Sequence, residues 1–511
     1  MLKRNLLTHL TRWGIPRSYG TFSFAAIVAL LFACTLPGQS QVFKENPVLY
    51  QSGGSVAQAI AVADVNKDGK PDVIVANQGP EGSDVVGVLL GNGDGTLQPA
   101  ATYTVKFPGA NAVAIGDLNG DGWPDLVVGS NDGFGNLCLS VLLNKGDGTF
   151  DPAIGYSAGY DIGSVAIADV NGDGKADVIV LDQVDSAFKH SQLAVLLGNG
   201  DGTLGAATIY ELTIGGTSAL SLAAADLNGD GKPDLVVTDI DTKGNGLIIV
   251  LLNKGDGTFP TQVTYPSGGA GSSLILGDVN HDGELDAIVG MPAGSVGVLF
   301  GKGDGTFGPA TVYPTGLVSP ASVAVGDFNG DGTLDLAVAS APLNSVPNGQ
   351  VAVLLNNGQG TFQAPILYGT GGRNAESVAV ANLKQGAKPD LVVADGCDGY
   401  HSSCPLGGGV AVLLGVPATT KTTVTTSGTP SKSGQPVTFT ATVTATEGPI
   451  PNGTAVTFSN NGTSIGTAET MNGAAKFTTS SLTVGTHTIK ASYPSSAFFK
   501  ASSGAVTQVE N

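Results

Sequence analysis

A nine-residue acidic segment recurs along the chain at a nearly constant spacing. Its first copy is DVNKDGKPD, which begins at Asp64, and five later copies keep aspartate at positions 1, 5 and 9 and asparagine at position 3. A seventh copy, NLKQGAKPD, begins at Asn382 and keeps only the aspartate at position 9. Successive copies begin 49 to 57 residues apart. A repeat of about 50 residues is typical of propeller blades, so an array of seven similar units is predicted.

The segments around the acidic loop follow the same order in each repeat. A short apolar strand such as SVAIAD leads into the loop, and a second strand such as DVIVLD leaves it. A variable loop, a third strand such as LAVLLGN, a Gly-Asp-Gly turn and a fourth strand complete the unit. Four strands joined by turns form one antiparallel blade, and seven blades form a ring without long free edges. An all-β chain with a seven-bladed β-propeller is therefore predicted, the propeller spanning residues 41–416.

The fourth strands indicate how this ring closes. They usually end in tyrosine, and seven such tyrosines occur, whereas the Gly-Asp-Gly turn or its variant occurs only six times. The extra tyrosine, Tyr50, precedes the first acidic loop, and the seventh repeat ends at 410–415 without a turn after it. The N-terminal strand is therefore predicted to supply the fourth strand of blade seven. The tyrosines expected to pack between blades are Tyr50, Tyr103, Tyr156, Tyr210, Tyr265, Tyr313 and Tyr368.

Residues 417–511 have a different pattern, rich in threonine. The segment PVTFTATVTA alternates apolar residues with threonine, and GTHTIKASY places Ile489, Ala491 and Tyr493 on one face. Such alternation, broken by Gly, Pro and Asn turns, predicts a small β-sandwich. This segment has no Cys or Trp, so it lacks the disulfide core of antibody domains. PATTK, residues 417–421, is interpreted as a short linker.

The first 40 residues have the composition of an export signal. Four Lys or Arg residues and no acid precede an apolar run at 22–36, which is shorter than the roughly 20 residues of a membrane span. A secretory signal peptide at 1–40, cleaved after Ser40, is therefore predicted, with no transmembrane segment after its removal. In the alternative interpretation, LFAC at 31–34 is a lipobox and Cys34 is lipidated. Both interpretations predict a secreted or cell-surface protein.

The charge of the chain argues against nucleic acid as a partner. After residue 40 the chain has 19 Lys and Arg against 42 Asp and Glu, a net charge of −23. Such a chain repels nucleic acid phosphates and anionic lipid, but it attracts cations.

The acidic loops carry the oxygen donors that calcium prefers. Ca²⁺ takes six to eight hard oxygen ligands, and these loops offer side chains at positions 1, 3, 5 and 9 and the carbonyl of position 7. An EF-hand adds a bidentate Glu at position 12, where this chain has Val75, so the loop is predicted to clip a β-hairpin and not to act as a sensor. Metal-free Asx turns are the alternative, which six copies in register disfavour.

Six structural Ca²⁺ ions are predicted, and none in the seventh copy. The predicted ligands, given by loop in the order of positions 1, 3, 5, 7 and 9, are Asp64, Asn66, Asp68, Lys70 and Asp72; Asp117, Asn119, Asp121, Trp123 and Asp125; Asp169, Asn171, Asp173, Lys175 and Asp177; Asp226, Asn228, Asp230, Lys232 and Asp234; Asp278, Asn280, Asp282, Glu284 and Asp286; Asp327, Asn329, Asp331, Thr333 and Asp335.

The cysteines after residue 40 have separate interpretations. Cys397 and Cys404 flank DGYHSS in a loop-like segment, and in an oxidising compartment a local disulfide is predicted. A zinc site that includes His401 is the alternative. Cys138 lies in an apolar run and is predicted to be a buried thiol.

The face opposite the acidic loops is the predicted ligand surface. Chain direction reverses at every turn, so the loops between second and third strands, and those between blades, share that face. These loops vary most in length, and variable loops on a rigid frame often bind ligands. The candidate contact residues are Phe188, His190, Tyr400 and His401.

The repeats resemble FG-GAP/VCBS repeats, the blade unit of the integrin alpha-subunit propeller, over residues 42–415. The C-terminal segment resembles bacterial Ig-like domains. The resemblance implies structural Ca²⁺ in the loop between the first two strands of a blade, and ligand binding on the opposite face. It also implies a bacterial protein that is secreted or at the cell surface. The predicted function is a calcium-stabilised binding or adhesion scaffold for an extracellular protein or polysaccharide.

An extracellular polysaccharide lyase or hydrolase is the alternative function. Such an enzyme needs an acid, a base and a stabilising group together. After residue 40 the chain has only four His and one Trp, and most of its clustered acids are assigned to metal. A non-enzymatic scaffold is therefore favoured.

Overall fold

The computed structural model describes residues 42–511 with nine gaps. The gaps are residues 80–83, 132–137, 160, 183–190, 213–218, 342–348, 387, 397–407 and 447. The predicted signal peptide at 1–40, with Ser40 and Cys34, lies outside the described residues. Within them every regular element is a strand, so the prediction of an all-β chain is confirmed. No helix in the described part of the chain has the length and apolar character needed to span a membrane.

Seven four-stranded antiparallel sheets follow one another along the chain. The first strand of the chain is β1 (Val48–Gln51). The first sheet has β2 (Val56–Ala63), β3 (Asp72–Gln78), β4 (Val85–Leu89) and β5 (Ala101–Thr104); the second has β6 (Ala110–Gly116), β7 (Asp125–Ser130), β8 (Leu139–Leu142) and β9 (Ile154–Tyr156); the third has β10 (Ile162–Ala168), β11 (Asp177–Asp182), β12 (Gln192–Leu196) and β13 (Thr208–Glu211); the fourth has β14 (Leu222–Ala225), β15 (Asp234–Ile240), β16 (Gly246–Leu252) and β17 (Thr261–Pro266).

The remaining sheets continue in the same order. The fifth has β18 (Ser273–Gly277), β19 (Asp286–Met291), β20 (Ser295–Leu299) and β21 (Thr311–Pro314); the sixth has β22 (Pro320–Gly326), β23 (Asp335–Ser340), β24 (Gln350–Leu354) and β25 (Ile366–Gly369); the seventh has β26 (Asn374–Ala381), β27 (Asp390–Gly396) and β28 (Gly409–Leu413) together with β1. The first strand of each sheet contacts the first strand of the next, and β26 contacts β2.

The burial of each strand follows from its place in the sheet. The second strands β7, β11, β19 and β23 are buried at every residue, which explains their nearly continuous apolar sequences. Neighbouring sheets cover both of their faces. The outer strands β5, β13 and β21 are exposed except at the tyrosine, which is partly buried, and β1 has the same burial pattern.

The N-terminal strand pairs with the last repeat, as predicted. Val48, Leu49 and Tyr50 lie opposite Val412, Ala411 and Val410 in an antiparallel register. Just before this strand, Phe43 forms a bridge with Gly415. The N-terminal segment therefore occupies the place that the Gly-Asp-Gly turn and fourth strand occupy in other sheets.

Tyrosines of the fourth strands link each sheet to the following one. Tyr103, Tyr210, Tyr265 and Tyr313 contact a Phe after the next Gly-Asp-Gly turn or its variant edge to face, at centroid distances of 5.2 to 5.8 Å. Tyr368 instead contacts Phe43 at 5.6 Å. The prediction that these tyrosines pack between sheets is confirmed, and Phe43 replaces the turn phenylalanine that the seventh repeat lacks.

The C-terminal segment is a sandwich of two sheets. Its strands are β29 (Thr420–Thr426), β30 (Val437–Ala445), β31 (Ala455–Asn460), β32 (Thr463–Glu469), β33 (Ala474–Thr479), β34 (Gly485–Tyr493) and β35 (Ser502–Glu510). One sheet has the order β29-β30-β33 and the other β32-β31-β34-β35. Ile489, Ala491 and Tyr493 share the buried face, as their alternation predicted.

The interpretation of 417–421 as a linker is wrong from Ala418 onward. The Ala418 N–H donates to the Phe498 carbonyl at 2.7 Å, and the Lys500 N–H donates to the Ala418 carbonyl at 2.9 Å. Strand β29 begins at Thr420, which is buried. The alternation of buried and exposed residues in TKTTVTT lets this segment join the sandwich directly.

Candidate metal-binding loops

Each acidic loop joins the first and second strands of a sheet through a sharply bent backbone. The glycine at position 6 is left-handed in all six complete loops, with φ from 80 to 89°. Position 4 is left-handed too, and it is glycine in four loops but Lys67 (φ 52°) and His281 (φ 62°) in the others. The glycine at position 6 is the residue that adopts this conformation without a Cβ penalty.

The polar side chains at positions 1, 3 and 5 hold the loop backbone. In the first loop the Asp68 N–H donates to Asp64 Oδ1 at 3.1 Å and to Asn66 Oδ1 at 3.0 Å. The Gly69 N–H donates to Asp64 Oδ2 at 2.8 Å, and the Lys70 N–H donates to Asp68 Oδ1 at 3.0 Å. Similar bonds recur in the other complete loops. The loops therefore contain the Asx turns that their composition favours.

The aspartate at position 9 has a different role from the other three polar residues. Asp72 is fully buried, and its Oδ2 accepts the Val65 N–H at 3.0 Å while its Oδ1 accepts the Gly91 N–H at 2.8 Å. It thus joins the start of the loop to the residues that follow the third strand. The same two bonds recur at Asp125, Asp177, Asp234, Asp286 and Asp335.

The incomplete seventh loop keeps this aspartate and a similar pair of bonds, with position 3 as a loop donor where position 2 donates in the complete loops. Asp390 accepts the Lys384 N–H at 3.1 Å and the Gly415 N–H at 2.8 Å. The role of position 9 in joining loop and third strand is therefore independent of the other acids. Sequence reasoning missed this role, although the retention of Asp390 alone in the seventh copy was a signal of it.

Burial and neighbouring charge both act on these aspartates. Burial, followed by the charge of the carboxylates at positions 1 and 5, raises the pKa of Asp72 and Asp286 to about 6 and that of Asp335 to about 7, although two backbone N–H bonds to each aspartate lower it. In the seventh loop burial also raises the pKa of Asp390 above its usual value, while three backbone N–H groups and then the Lys384 ammonium oppose that rise. The complete loops therefore concentrate negative charge that the seventh loop does not have.

The donor set of the six complete loops suits a hard cation. Every predicted ligand atom is a carboxylate, amide or carbonyl oxygen, and an oxygen that accepts one N–H retains a second lone pair. Asp278 Oδ1 is buried and has no hydrogen-bond donor within the described residues. A cation would satisfy such an oxygen. In the described part of the chain, however, no three Asp, Glu, His or Cys side chains already lie together as a metal centre.

Basic side chains also lie close to the loop acids. Lys70 Nζ is 3.0 Å from Asp68 Oδ2, and Lys232 Nζ is 3.2 Å from Asp230 Oδ2. These pairs are partly exposed, so each contributes little to stability. Lys67 Nζ lies 4.4 Å from the ring centroid of Trp123, and this contact connects the first loop to the second.

The candidates on the opposite face lie outside the described residues. They are Phe188, His190, Tyr400 and His401, and the predicted disulfide cysteines Cys397 and Cys404 also lie there. Cys138, by contrast, is fully buried in the core of the second sheet, as predicted.

Buried carboxylates at the far ends of the second strands were missed by sequence reasoning. Asp182 is the last residue of its strand, Asp239 and Asp395 are the next to last of theirs, and all three are almost fully buried. Asp395 Oδ1 accepts the Thr370 Oγ1–H at 2.8 Å. Burial, followed by the charge of Glu376, raises the pKa of Asp395 to about 7. The signal was the acid that ends runs such as DLVVAD.

Comparison with known proteins identifies both parts of the chain. The FG-GAP-like repeat model matches residues 64–128, 117–180, 185–237, 226–289 and 282–338, together more than half of the chain. The bacterial Ig-like domain (group 3) model matches residues 424–510.

Two curated relatives are integrin subunits of Drosophila melanogaster. Integrin alpha-PS3 is 42% identical over 83 residues, which are 14% of this chain and 7% of that protein. Integrin alpha-PS5 is 45% identical over 82 residues, 14% of this chain and 8% of that protein. The chain thus spans less than a tenth of the length of either relative.

Solved structures resemble the chain only distantly. BBS1N in complex with ARL6DN has a TM-score of 0.46 at 11% identity, over 74% of this chain and 98% of that one. The periplasmic gluconolactonase PpgL of Pseudomonas aeruginosa has a TM-score of 0.44 at 15% identity, over 61% of this chain and 84% of that one. The repeat matches carry the assignment: the chain belongs to the FG-GAP-like repeat family.

Proposed function

We propose that this chain is a calcium-stabilised extracellular binding scaffold. FG-GAP-like repeats and integrin-like relatives suggest a β-propeller binding scaffold in general. The finer proposal is that each of the six complete loops binds one Ca²⁺ ion. The side chains at positions 1, 3 and 5 would draw together around the ion, and position 9 would keep its two backbone bonds. Six copies of one all-oxygen donor set on hairpins of the same geometry are the observation that carries this proposal.

The physical role of the ions would be to hold the first two strands of each sheet together. Three clustered carboxylates repel one another at short range, and a divalent cation offsets that repulsion. The seventh loop, with Lys384 at position 3 and Gln385 at position 4, would need no ion. Its Gln385 side chain donates to the Gly69 carbonyl of the first loop at 2.7 Å.

Thermal unfolding of residues 41–511 with Ca²⁺ and with EGTA tests this proposal. A ligand that binds only the native state raises its stability by about 2.7 kcal/mol per site at a hundredfold excess over Kd. Several such sites are expected to raise the midpoint by about 10 °C or more, with roughly six Ca²⁺ per chain by elemental analysis. Equal midpoints in Ca²⁺ and EGTA would refute the proposal, and Mg²⁺ serves as the control cation.

We further propose that the face opposite these loops binds an extracellular protein or polysaccharide. The support is the length variation of the loops there and the acidic, secreted character predicted from the sequence. Binding of residues 41–511 to an array of matrix proteins and polysaccharides measures it, and the same samples are assayed for polymer cleavage. Binding without cleavage is expected, and cleavage of a polysaccharide would make the enzyme the better interpretation.

A further inference from the structure

The sandwich rests against one acidic loop, that of the sixth repeat. A Cβ placed on Gly330, at position 4 of this loop, would lie 2.3 Å from Cδ1 and 2.6 Å from Cγ of Phe498. The Phe498 ring therefore packs directly on the Gly330 backbone. Beside it, a Cβ on Gly448 would lie 3.0 Å from the Asn329 carbonyl oxygen. Two loops of the sandwich thus touch consecutive residues of the sixth acidic loop.

This contact makes the sixth loop different from the others. Asn329 is only 3% exposed, whereas the asparagines at position 3 of the other five complete loops are half-buried. Gly120 and Gly229, which also stand at position 4, have no atom within 4 Å of an added Cβ. The sandwich therefore covers a surface that faces solvent in the second and fourth loops.

The sixth loop also contacts the N-terminal segment. Its position 2 is Phe328, where the other complete loops have Val or Leu, and the Phe328 ring lies 5.3 Å from that of Phe43. Phe43 forms the bridge to Gly415, directly before the chain enters the sandwich. The sixth acidic loop thus contacts three parts of the molecule: the N-terminal segment, its own sheet and the sandwich.

The carboxylate of Asp327 holds the backbone of the sixth loop in the shape that Phe498 contacts. Asp327 accepts the N–H groups of Gly330 at 2.6 Å, Asp331 at 3.2 Å and Gly332 at 2.9 Å. The same Asp327 is position 1 of the proposed cation site. A cation on Asp327 would therefore act on the backbone that lies under Phe498.

We propose that the sixth acidic loop is the docking seat of the Ig-like sandwich, and that cation binding there and docking of the sandwich stabilise each other. This proposal rests on the proposed calcium function. Because coupling between two binding events is reciprocal, the docked sandwich raises the cation affinity of this loop by the factor by which the cation favours docking. The sixth ion is then the slowest of the six to leave, and cation removal loosens the sandwich.

The docking part is tested by comparing Gly330→Ala with Gly229→Ala in residues 41–511. Both glycines are left-handed, with φ of 83° and 71°, so both alanines carry the same backbone strain. Only the alanine at 330 collides with Phe498. Gly330→Ala is expected to increase the radius of gyration in solution scattering and to speed amide exchange about tenfold or more in two segments, at Gly448 and Ile450 and at 496–500. Gly229→Ala is expected to change neither measurement. Equal behaviour of the two variants overturns the proposal.

The coupling part is tested with the unmodified chain in Ca²⁺ and in EGTA. EGTA is expected to speed amide exchange in the same two segments. In a chelator chase, Phe498→Ala is expected to speed the release of about one of the six ions. Met471→Ala, which changes a well-exposed side chain, is the control and is expected to leave ion release unchanged. If Ca²⁺ binds with the expected stoichiometry but EGTA leaves these segments unchanged, the coupling fails and the calcium proposal stands. If the chain binds no Ca²⁺, both fail.

Discussion

Position 9 of the acidic loop shows how one residue can serve two purposes. Its carboxylate joins the loop to the residues after the third strand in all seven repeats, with or without the other acids. In six repeats it also lies within a concentrated group of carboxylates. The seventh repeat has the aspartate that joins loop and sheet, and it lacks the other acids of the proposed cation site.

Replacement of Asp390 by Ala separates these two purposes. The variant leaves the buried N–H group of Gly415 and the part-buried N–H group of Lys384 without their acceptor, at a cost of about 1–3 kcal/mol in the free energy of unfolding. The loss, measured by denaturant unfolding, is expected to be the same in Ca²⁺ and in EGTA. Asn382→Ala, at exposed position 1 of the same loop, is the control and is expected to cost less than about 0.5 kcal/mol. A cost seen only in Ca²⁺ would mean that the seventh loop binds an ion.

Asp395 predicts a pH dependence that is separate from the acidic loops. Its pKa is about 7 in the folded chain, against about 3.9 for an unfolded aspartate, so the folded state holds a proton between these values that the unfolded state has released. Stability from this group is therefore present at low pH and is lost as the pH rises through that window. Asp395→Asn removes the titrating group but keeps the acceptor for Thr370.

The comparison is made by denaturant unfolding in EGTA at pH 5 and pH 8. Between pH 5 and pH 8 the free energy of unfolding of the wild type is expected to fall by at least about 1.4 kcal/mol more than that of Asp395→Asn, which is the equivalent of one pKa unit. Parallel pH profiles for the two proteins would show that Asp395 does not titrate in this window.

At the scale of elements, the fourth strands connect sheets through their tyrosines. Tyr210 and Tyr265 each contact a phenylalanine of the next sheet at a centroid distance of 5.8 Å. The Tyr210 hydroxyl also donates to the Gly257 carbonyl at 2.9 Å, whereas the Tyr265 hydroxyl has no partner among the described residues. These two tyrosines therefore differ in one hydrogen bond and little else.

Substitution of each tyrosine by phenylalanine measures that hydrogen bond. Tyr210→Phe is expected to lower the free energy of unfolding by about 1 kcal/mol, because the Gly257 carbonyl loses its donor. Tyr265→Phe, which keeps the same ring contact, is expected to change it by less than about 0.5 kcal/mol. Equal costs in denaturant unfolding would show that the ring contact alone links the sheets.

The order of strands could be predicted from the sequence because it depends on local pattern. The period of the acidic loop, the apolar runs and the counts of turns and tyrosines are all visible along the chain, and they led to the pairing of β1 with β28. The partners of Asp72 could not be predicted, because Gly91 comes close only when three strands have paired. Asp395 was missed because an acid at a strand end reads as a loop residue.

The contact between sandwich and sixth loop could not be predicted for a similar reason. Phe498 and Gly330 are far apart in sequence, and neither stands out by composition. In the acidic loops the donors could be named, but their hydrogen bonds to loop N–H groups depend on side-chain rotamers. The sequence pattern therefore names the candidate oxygen donors, and the folded loop determines which of these oxygens already accept hydrogen bonds.

At the scale of the whole molecule, Phe43 fastens the N-terminal segment between the sixth and seventh sheets. It is 1% exposed and contacts Phe328 and Tyr368, and the Val42 N–H donates to the Tyr368 hydroxyl at 2.8 Å. Phe307 makes the corresponding contact within the continuous chain of the fifth sheet, where it is 3% exposed. The two phenylalanines are similarly buried. Phe307 lies in the continuous chain of its own sheet, whereas Phe43 lies in the N-terminal segment, which joins the seventh sheet only by pairing.

Phe43→Ala and Phe307→Ala are therefore a matched pair. Each is expected to lower the free energy of unfolding by about 3–5 kcal/mol, as large core truncations do. Only Phe43→Ala is expected to speed amide exchange in β28, because β1 is then free to leave its edge. The measurement is residue-resolved hydrogen exchange, and unchanged protection of β28 in Phe43→Ala contradicts the fastening role.

The pairing of β1 with β28 also sets a waiting time during synthesis. Val48 pairs with Val412, which the ribosome adds about 360 residues later. At about 5–20 residues per second, the first strand waits roughly 20 to 70 seconds for its partner. During that interval an unpaired strand with exposed Val48 and Leu49 is open to pairing with other chains. Slower elongation would lengthen this exposure without changing the folded protein, so the yield of this chain is expected to depend on how fast the repeats between Val48 and Val412 are made.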